Sequence, residues 1–356
     1  MTRQIIPIFI PFLGCPHDCA FCNQVKITNY RDTADSTSIK NQIESYLSYF
    51  KDKKSPKEIA FYGGSFTGLP HETMISYLEI ANHYKEKGII DRIRLSTRPD
   101  YINNSILSCL KDYEVDTIEL GIQSFSDEVL CANERGHTAK DSKMASGLIK
   151  EHGFTLGHQI MPGLYKDSRE KIIATAKESV KIKPDIARIY PTLVIKDTKL
   201  EGLYKAGFYE PLSLSEAVEI SAEVLMIYEY MDINVIRIGL QPTENINEGK
   251  DVVAGPFHPA MRQLVESYIY RIYLQEIIKG ESLVDEIEIH AKAREISLIS
   301  GNKKSNKKYF YDKYKIKMTF VNDEDFYLVN KGKKIELDIK AFIKKYVEKN
   351  YGGDLN

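Results

Sequence analysis

The sequence predicts an α/β protein built on a partial (β/α)6 TIM-like barrel, followed by a small α+β C-terminal domain. Over the first 240 residues, short β-rich runs alternate with amphipathic stretches long enough to be crossover helices, which is the pattern of a parallel sheet. Six or seven such units are too few for the usual closed eight-stranded barrel and suit an open one. After Glu281 the composition turns lysine-rich, which places a boundary near 280 and divides the chain into residues 1–280 and 281–356.

The elements follow in order. Strands are expected at 5–12, 58–62, 92–96, 117–121, 155–161, 186–190 and 235–239. Helices are expected between them at 38–49, 73–85, 105–111, 140–152, 169–180 and 215–231. The opening run IIPIFIPF is apolar, but its prolines and its length exclude a bilayer span and leave a buried strand. It lacks the small-residue cleavage site of a signal peptide. A polar, turn-rich loop at 241–257 breaks the alternation, and a long helix at roughly 258–279 closes the barrel region. The unusual residues fall just after strands: a cysteine loop after the first, Gly63-Gly64-Ser65 after the second, Gln123-Ser124 after the fourth and Tyr190-Pro191 after the sixth. In parallel α/β sheets the carboxyl ends of the strands carry the ligand, so four loops converge on one rim.

Apolar residues at 43% and charged residues at 28% are those of a soluble globular chain with a substantial core. Five cysteines, an odd number, argue against a disulfide framework and for the cytoplasm. The net charge of −1 marks no polyanionic partner by itself. Its distribution is uneven, since Ile289–Asn350 carries sixteen Lys and Arg against eight Asp and Glu. That is a basic appendage on an acidic body. Neither a membrane nor DNA is an expected partner.

GCPHDCAFCNQ holds Cys15, Cys19 and Cys22 in a C-x3-C-x2-C spacing. Zinc would call for a second paired motif, and none exists. His17 lies inside the loop, and Cys109 and Cys131 sit in helical context, where small buried hydrophobes are expected. Three thiolates match a [4Fe–4S] cluster that leaves one iron open. Zinc and unligated thiols are the alternatives.

This spacing, with Phe21 directly before Cys22, resembles the signature of the radical S-adenosylmethionine (SAM) superfamily. The resemblance implies that the open iron chelates the amino and carboxylate groups of SAM and that Phe21 packs on its adenine. It implies SAM-binding roles for Gly63, Gly64 and Ser65 in the glycine-rich segment, for Glu119, Gln123 and Ser124 in ELGIQS, and for Arg188 in RIYPTL. GHQIMPGL (157–164) looks like the fifth-strand motif lining the cofactor. Longer strings, among them FYGGSFTGLP, ERGHT and RIYPTLVIKDTKL, resemble the radical SAM domain of the catalytic subunit of Elongator. That family modifies the wobble uridine of tRNA using acetyl-coenzyme A. The expected cofactors are a [4Fe–4S] cluster and SAM, the expected substrate is tRNA or another RNA, and the electron donor is external. The family's acetyltransferase-like domain finds no counterpart in the about 75 residues after the barrel. Acyl chemistry would therefore need a separate partner.

Arg135, His137, Tyr190 and Arg237 are polar residues near strand ends and are candidates to face the substrate; structural ion pairs and hydrogen bonds are their other reading. In the tail, residues 293–323 read helix, lysine-containing turn, helix, strand, which resembles the helix–GxxG–helix core of KH domains. Gly301-Asn302-Lys303-Lys304 lacks the second glycine. Lys303, Lys304, Lys307 and Lys308, beside Tyr309, Phe310 and Tyr311, are candidates for RNA phosphate contacts. A radical SAM enzyme acting on a porphyrin or other small molecule, and a non-enzymatic iron–sulfur RNA-binding protein, are the rival readings.

Overall fold

Alternation of buried aliphatic runs with capped amphipathic helices produces one curled parallel sheet. Its strands are β1 (Gln4–Ile10), β2 (Lys57–Gly63), β3 (Arg92–Thr97), β4 (Thr117–Gln123), β5 (Thr155–Ile160), β6 (Ile186–Ile189) and β8 (Asn234–Ile238), paired in the order β1-β2-β3-β4-β5-β6-β8. The computed structural model describes residues 3–10, 14–15, 17–23, 26, 35–52, 54–242, 246–247, 249–352 and 355. The barrel thus carries seven strands, one more than a (β/α)6 count, because the run at 234–238 pairs with β6 and extends the sheet.

The helices begin where the sequence supplies a side-chain oxygen for the unpaired first-turn amides. Asp35 caps α1 (Ser36–Tyr49) and Asn103 caps α3 (Asn104–Asp112), which follows α2 (His71–Glu86). Two short helices escape a periodicity search, α4 (Asp127–Ala132) and later α7 (Lys199–Lys205). Thr138 with Asp141 forms a capping box on α5 (Ala139–Glu151), and Ser168 caps α6 (Arg169–Ile182). Ser213 with Glu216 forms a second box on α8 (Leu214–Tyr230). The loop at 241–257 is not wholly irregular: β9 (Val252–Ala254) pairs antiparallel with β7 (Val194–Ile195). Both are too short to show a period.

Ile6, Ile8, Ile10, Phe61, Leu95 and Leu156 pack against helix residues such as Ile39, Ile43 and Leu78 in one core. A second core runs from Ile172 of α6 and Tyr228 of α8 through Leu274 of α9 (Met261–Gly280) into Ile287, Phe310 and Val347. Residues after 280 therefore share buried surface with the last barrel helices. They form β10 (Glu286–Ala291), α10 (Ala293–Ser300), α11 (Ser305–Tyr314), β11 (Lys317–Asn322), β12 (Tyr327–Asn330), β13 (Lys333–Glu336) and α12 (Ile339–Tyr351). The strands order β11-β10-β12-β13, with β10 parallel to β11 and antiparallel to β12. The expected sequence of helix, lysine turn, helix and strand is present.

Candidate active site

The cysteine loop lies at the carboxyl ends of the strands, and glycine lets it lie close. Gly14 has φ +71°, and a Cβ there would come within 2.1 Å of the Ser65 carbonyl oxygen. Gly63, at φ +95°, lets the end of β2 abut the end of β1, and the following Gly64 amide donates to the Ile10 carbonyl at 3.0 Å. Cys19 is 7% exposed, Cys15 and Cys22 are half-buried, and all five cysteines are thiols. The loop backbone is held from two sides. The Ala20 amide donates to the Asn133 carbonyl at 3.1 Å, and the Ala20 carbonyl accepts from the Leu200 amide at 2.7 Å. Asn133, fully buried, also exchanges side-chain hydrogen bonds with the Tyr165 backbone. This is the local work of the ANERGHT and DTKL stretches.

Arg135 is brought to the cysteines. Its Nη1 donates to Cys19 Sγ at 3.2 Å, its Nη2 donates to the Gly121 carbonyl at 2.7 Å, and its guanidinium lies 6.0 Å from the Phe21 ring centre. Arg98, which sequence reading missed, places Nη1 3.9 Å from the same sulfur, donates to the Arg135 carbonyl and pairs with Asp100 at 2.9 Å. Its signal was an arginine directly after β3. His137 is buried beside them. Burial, then the positive charges of Arg135 and Arg98, push its pKa down to about 3, so the imidazole is neutral. His17 packs on Gly136, which stands at φ +73°.

Below this rim the barrel is filled by charge. Glu119 sits between Arg94 Nη1 at 2.7 Å and the guanidinium of Arg188, and Arg94 Nη2 reaches Glu58 at 2.8 Å. Arg188 also donates to the hydroxyls of Tyr190 and Tyr62, both at 3.1 Å. Burial alone would raise the Glu119 pKa; the two guanidiniums outweigh it and hold it below the usual carboxylate range. Burial pushes Tyr62 up to about 12.

The remaining sequence candidates separate. Ser65 is fully buried and bonds Thr97 Oγ1 at 2.9 Å, while the Arg98 amide donates to its hydroxyl. Gln123, at φ +67°, accepts from Gln159 at 3.3 Å inside the barrel. The Ser124 hydroxyl instead meets Thr175 of α6 at 3.2 Å, outside the sheet. Arg237 donates to the Gly239 carbonyl at the end of β8. Cys109 is half-buried in α3, and Cys131, expected to be buried, is exposed in the last turn of the short α4, whose buried residues are Val129 and Leu130.

A seven-stranded partial barrel with three cysteines at its rim is matched by two family models. Residues 9–178 match the radical SAM superfamily and residues 184–271 match the radical SAM C-terminal domain. The chain belongs to the radical SAM superfamily. Within it, a tRNA uridine(34) acetyltransferase of Methanocaldococcus jannaschii is 35% identical over 129 residues, covering 35% of this chain and 24% of that protein. The human Elongator complex protein 3 is 31% identical over 190 residues, 48% of this chain and 35% of the relative. The fold is similar to that of the archaeal Elp3 of Methanocaldococcus infernus, with a TM-score of 0.59 at 21% identity, covering 80% of this chain and 66% of that one. The chain thus spans well under two thirds of the length of these curated relatives.

Radical SAM proteins bind a [4Fe–4S] cluster and SAM, and the residues present fit both. Among the described residues no three His, Cys, Asp or Glu side chains converge tightly enough for a single ion. A four-iron cluster takes each thiolate on a different iron and needs no such convergence. Arg135 Nε and His137 Nδ1 are buried polar atoms without a hydrogen-bond partner, which suits a polar ligand at the rim. Cys15, Cys19 and Cys22 would hold the cluster, with Phe21, Arg135 and the Gly63–Gly64 turn around SAM.

Proposed function

We propose that the chain is a tRNA-modifying radical SAM enzyme of the Elongator type. Bound cluster and SAM would supply reductive cleavage of SAM to methionine and a 5′-deoxyadenosyl radical, which abstracts a hydrogen. The chain's own residues do the rest. Ala20, clamped between Asn133 and Leu200, fixes the cysteine loop against the rim. Neutral His137 adds no charge beside the cationic Arg98 and Arg135. The Glu58–Arg94–Glu119–Arg188 ladder closes the barrel floor with paired charge. Tyr190 and Arg237 stand at the ends of β6 and β8, where a substrate entering the mouth would meet them.

The observation that carries the RNA half is the position of the lysine turn. Gly239, at the mouth end of β8, is tight against Met261, and Gln263 of α9 accepts from Asn302 at 3.3 Å. Lys303 and Lys304 follow directly, so the basic turn and the barrel mouth share one end of the molecule. Lys303 and Lys304 are exposed, as is Lys308. The relatives named for tRNA uridine(34) and the cationic turn support the same substrate. The test is 5′-deoxyadenosine formation by anaerobically reconstituted, reduced protein with bulk tRNA, free nucleosides or a porphyrin added. Stimulation by tRNA alone is expected; stimulation by the porphyrin alone would overturn the substrate assignment.

A further inference from the structure

The ten-residue helix α11 and the turns that flank it carry three exposed lysines and one exposed tyrosine. Lys308 and Tyr311 lie three apart on the helix, and Lys304 and Lys315 flank it at its two ends, with Lys315 Nζ 5.7 Å from the Tyr311 ring centre; the four make one stripe. All four are exposed, and Tyr311 is the extreme among its aromatic neighbours at 58% exposure. Phe310 is fully buried in the core, and Tyr309 lies against Arg271 and accepts from Gln275. The run Tyr309-Phe310-Tyr311 therefore resolves into two structural rings and one presented ring. Lys307 leaves the surface set because it is half-buried, its Nζ 5.3 Å from the Phe320 ring centre.

The lysines of the stripe, Lys304, Lys308 and Lys315, have no carboxylate partner among the described residues, whereas six other lysines of this part of the chain do: Lys292, Lys317, Lys331, Lys333, Lys334 and Lys345. The backbone also works to expose the ends. Lys303 and Lys304 stand at φ +49° and +63°, and Lys315 at φ +57°. Left-handed conformations cost a side-chain-bearing residue roughly 1 kcal/mol each, so these lysines are held at the two ends of the stripe by the fold and not by their own preference. The stripe is about 16 Å long and begins at the turn beside the barrel mouth.

We propose that this face of α11 binds a short single-stranded stretch of RNA, its phosphates on Lys304, Lys308 and Lys315 and one unpaired base stacked on Tyr311. Cations alone track a backbone of any form; an exposed ring between them selects an unstacked base, which a duplex does not offer. The proposal rests on the tRNA reading, which it deepens by naming an unpaired segment as the part of the substrate that this surface takes.

The experiment is fluorescence anisotropy of the full-length reconstituted protein with a labelled 12-nucleotide oligouridylate, across a salt series, with the same length of RNA duplex as competitor. Tyr311→Ala is expected to weaken binding about 10-fold, within the range for loss of one stacked base, without changing the salt slope. Tyr311→Phe is expected to retain wild-type affinity. Lys304→Ala/Lys308→Ala is expected to flatten the slope by about 1.4, at about 0.7 per cation on a single strand. Unchanged far-UV circular dichroism shows that each variant is folded, as their exposure leads one to expect. The proposal is overturned by absence of binding in the wild-type protein, by equal affinity of Tyr311→Ala, by duplex competing as well as the single strand, or by anionic phosphatidylserine vesicles displacing the oligonucleotide. SAM cleavage without RNA is measured on the same samples. Its absence with RNA binding intact defeats the enzymatic reading alone, and loss of the Tyr311 effect with cleavage intact defeats the platform alone.

Discussion

Glu119→Gln tests how the barrel interior is held together. Glu119 is 4% exposed at its side chain and lies between Arg94 at 6% and Arg188 at 12%. Arg94 keeps a second carboxylate, Glu58 at 2.8 Å, when Glu119 is neutralised. Arg188 keeps only the hydroxyls of Tyr62 and Tyr190. The charge left uncompensated is therefore the Arg188 guanidinium, and removing one partner of a buried pair costs about 3–5 kcal/mol. Urea denaturation of the apo-protein, followed by circular dichroism, should show a loss of that size, roughly a 10²- to 10⁴-fold change in the folding equilibrium. Because one orphan accounts for the loss, adding Arg188→Met to Glu119→Gln should recover most of it. The sign in pH follows from the depressed pKa of Glu119. Its contribution is complete above the unfolded value of 4.5 and is lost as pH falls through the lower folded value. A loss below 1 kcal/mol at pH 7, or a double variant as unstable as the single one, would refute the ladder.

Cys19→Ala should lower iron per chain and abolish the visible iron–sulfur absorbance of the reconstituted protein, with little change in far-UV circular dichroism. Gly14→Ala should do the same through the backbone, because φ +71° and a 2.1 Å approach to the Ser65 carbonyl leave a methyl group no room. Asn133→Ala removes the side-chain bonds to Tyr165 beside Ala20; iron loading should fall and chymotrypsin cleavage at Phe21 in the cysteine loop should accelerate, whereas a purely structural asparagine would change only global stability. His290, held by Glu288 at 2.9 Å and Asp323 at 3.1 Å, has a pKa raised above 6.5. Its stabilisation is complete below pH 6.5 and lost as pH rises through the folded value, so His290→Gln should remove that slope from a thermal-stability profile against pH.

Much of this was readable in advance, for identifiable reasons. The seven parallel strands are aliphatic runs bounded by helix caps, and their limits lie within two residues of the expected ones wherever the ends are described. The ends of the first at 11–12 fall outside the described residues. The three cysteines were legible because their spacing is a ligand pattern no helix or strand requires. Partner assignments were not legible. Ser124 and Ser65 lie in rim motifs, yet their hydroxyls are taken up by Thr175 and Thr97, a choice set by neighbouring elements. Arg135 reads in sequence as substrate-facing and is found on Cys19 Sγ. Arg98 had no motif around it, and its approach to Cys19 depends on where β3 ends. Short elements such as β7, β9 and α4 carry too few residues for a period. The lysine run hid the distinction that matters, since only the fold reveals which cations lack carboxylates and which of three adjacent rings is exposed.

The measurement that bears most directly on the whole account is release of 5′-deoxyadenosine from SAM by the anaerobically reconstituted, dithionite-reduced protein. Wild-type protein should release it in the presence of tRNA, and Cys19→Ala should release none. Wild-type protein that carries an intact four-iron cluster and leaves SAM uncleaved, with or without tRNA, would contradict the account.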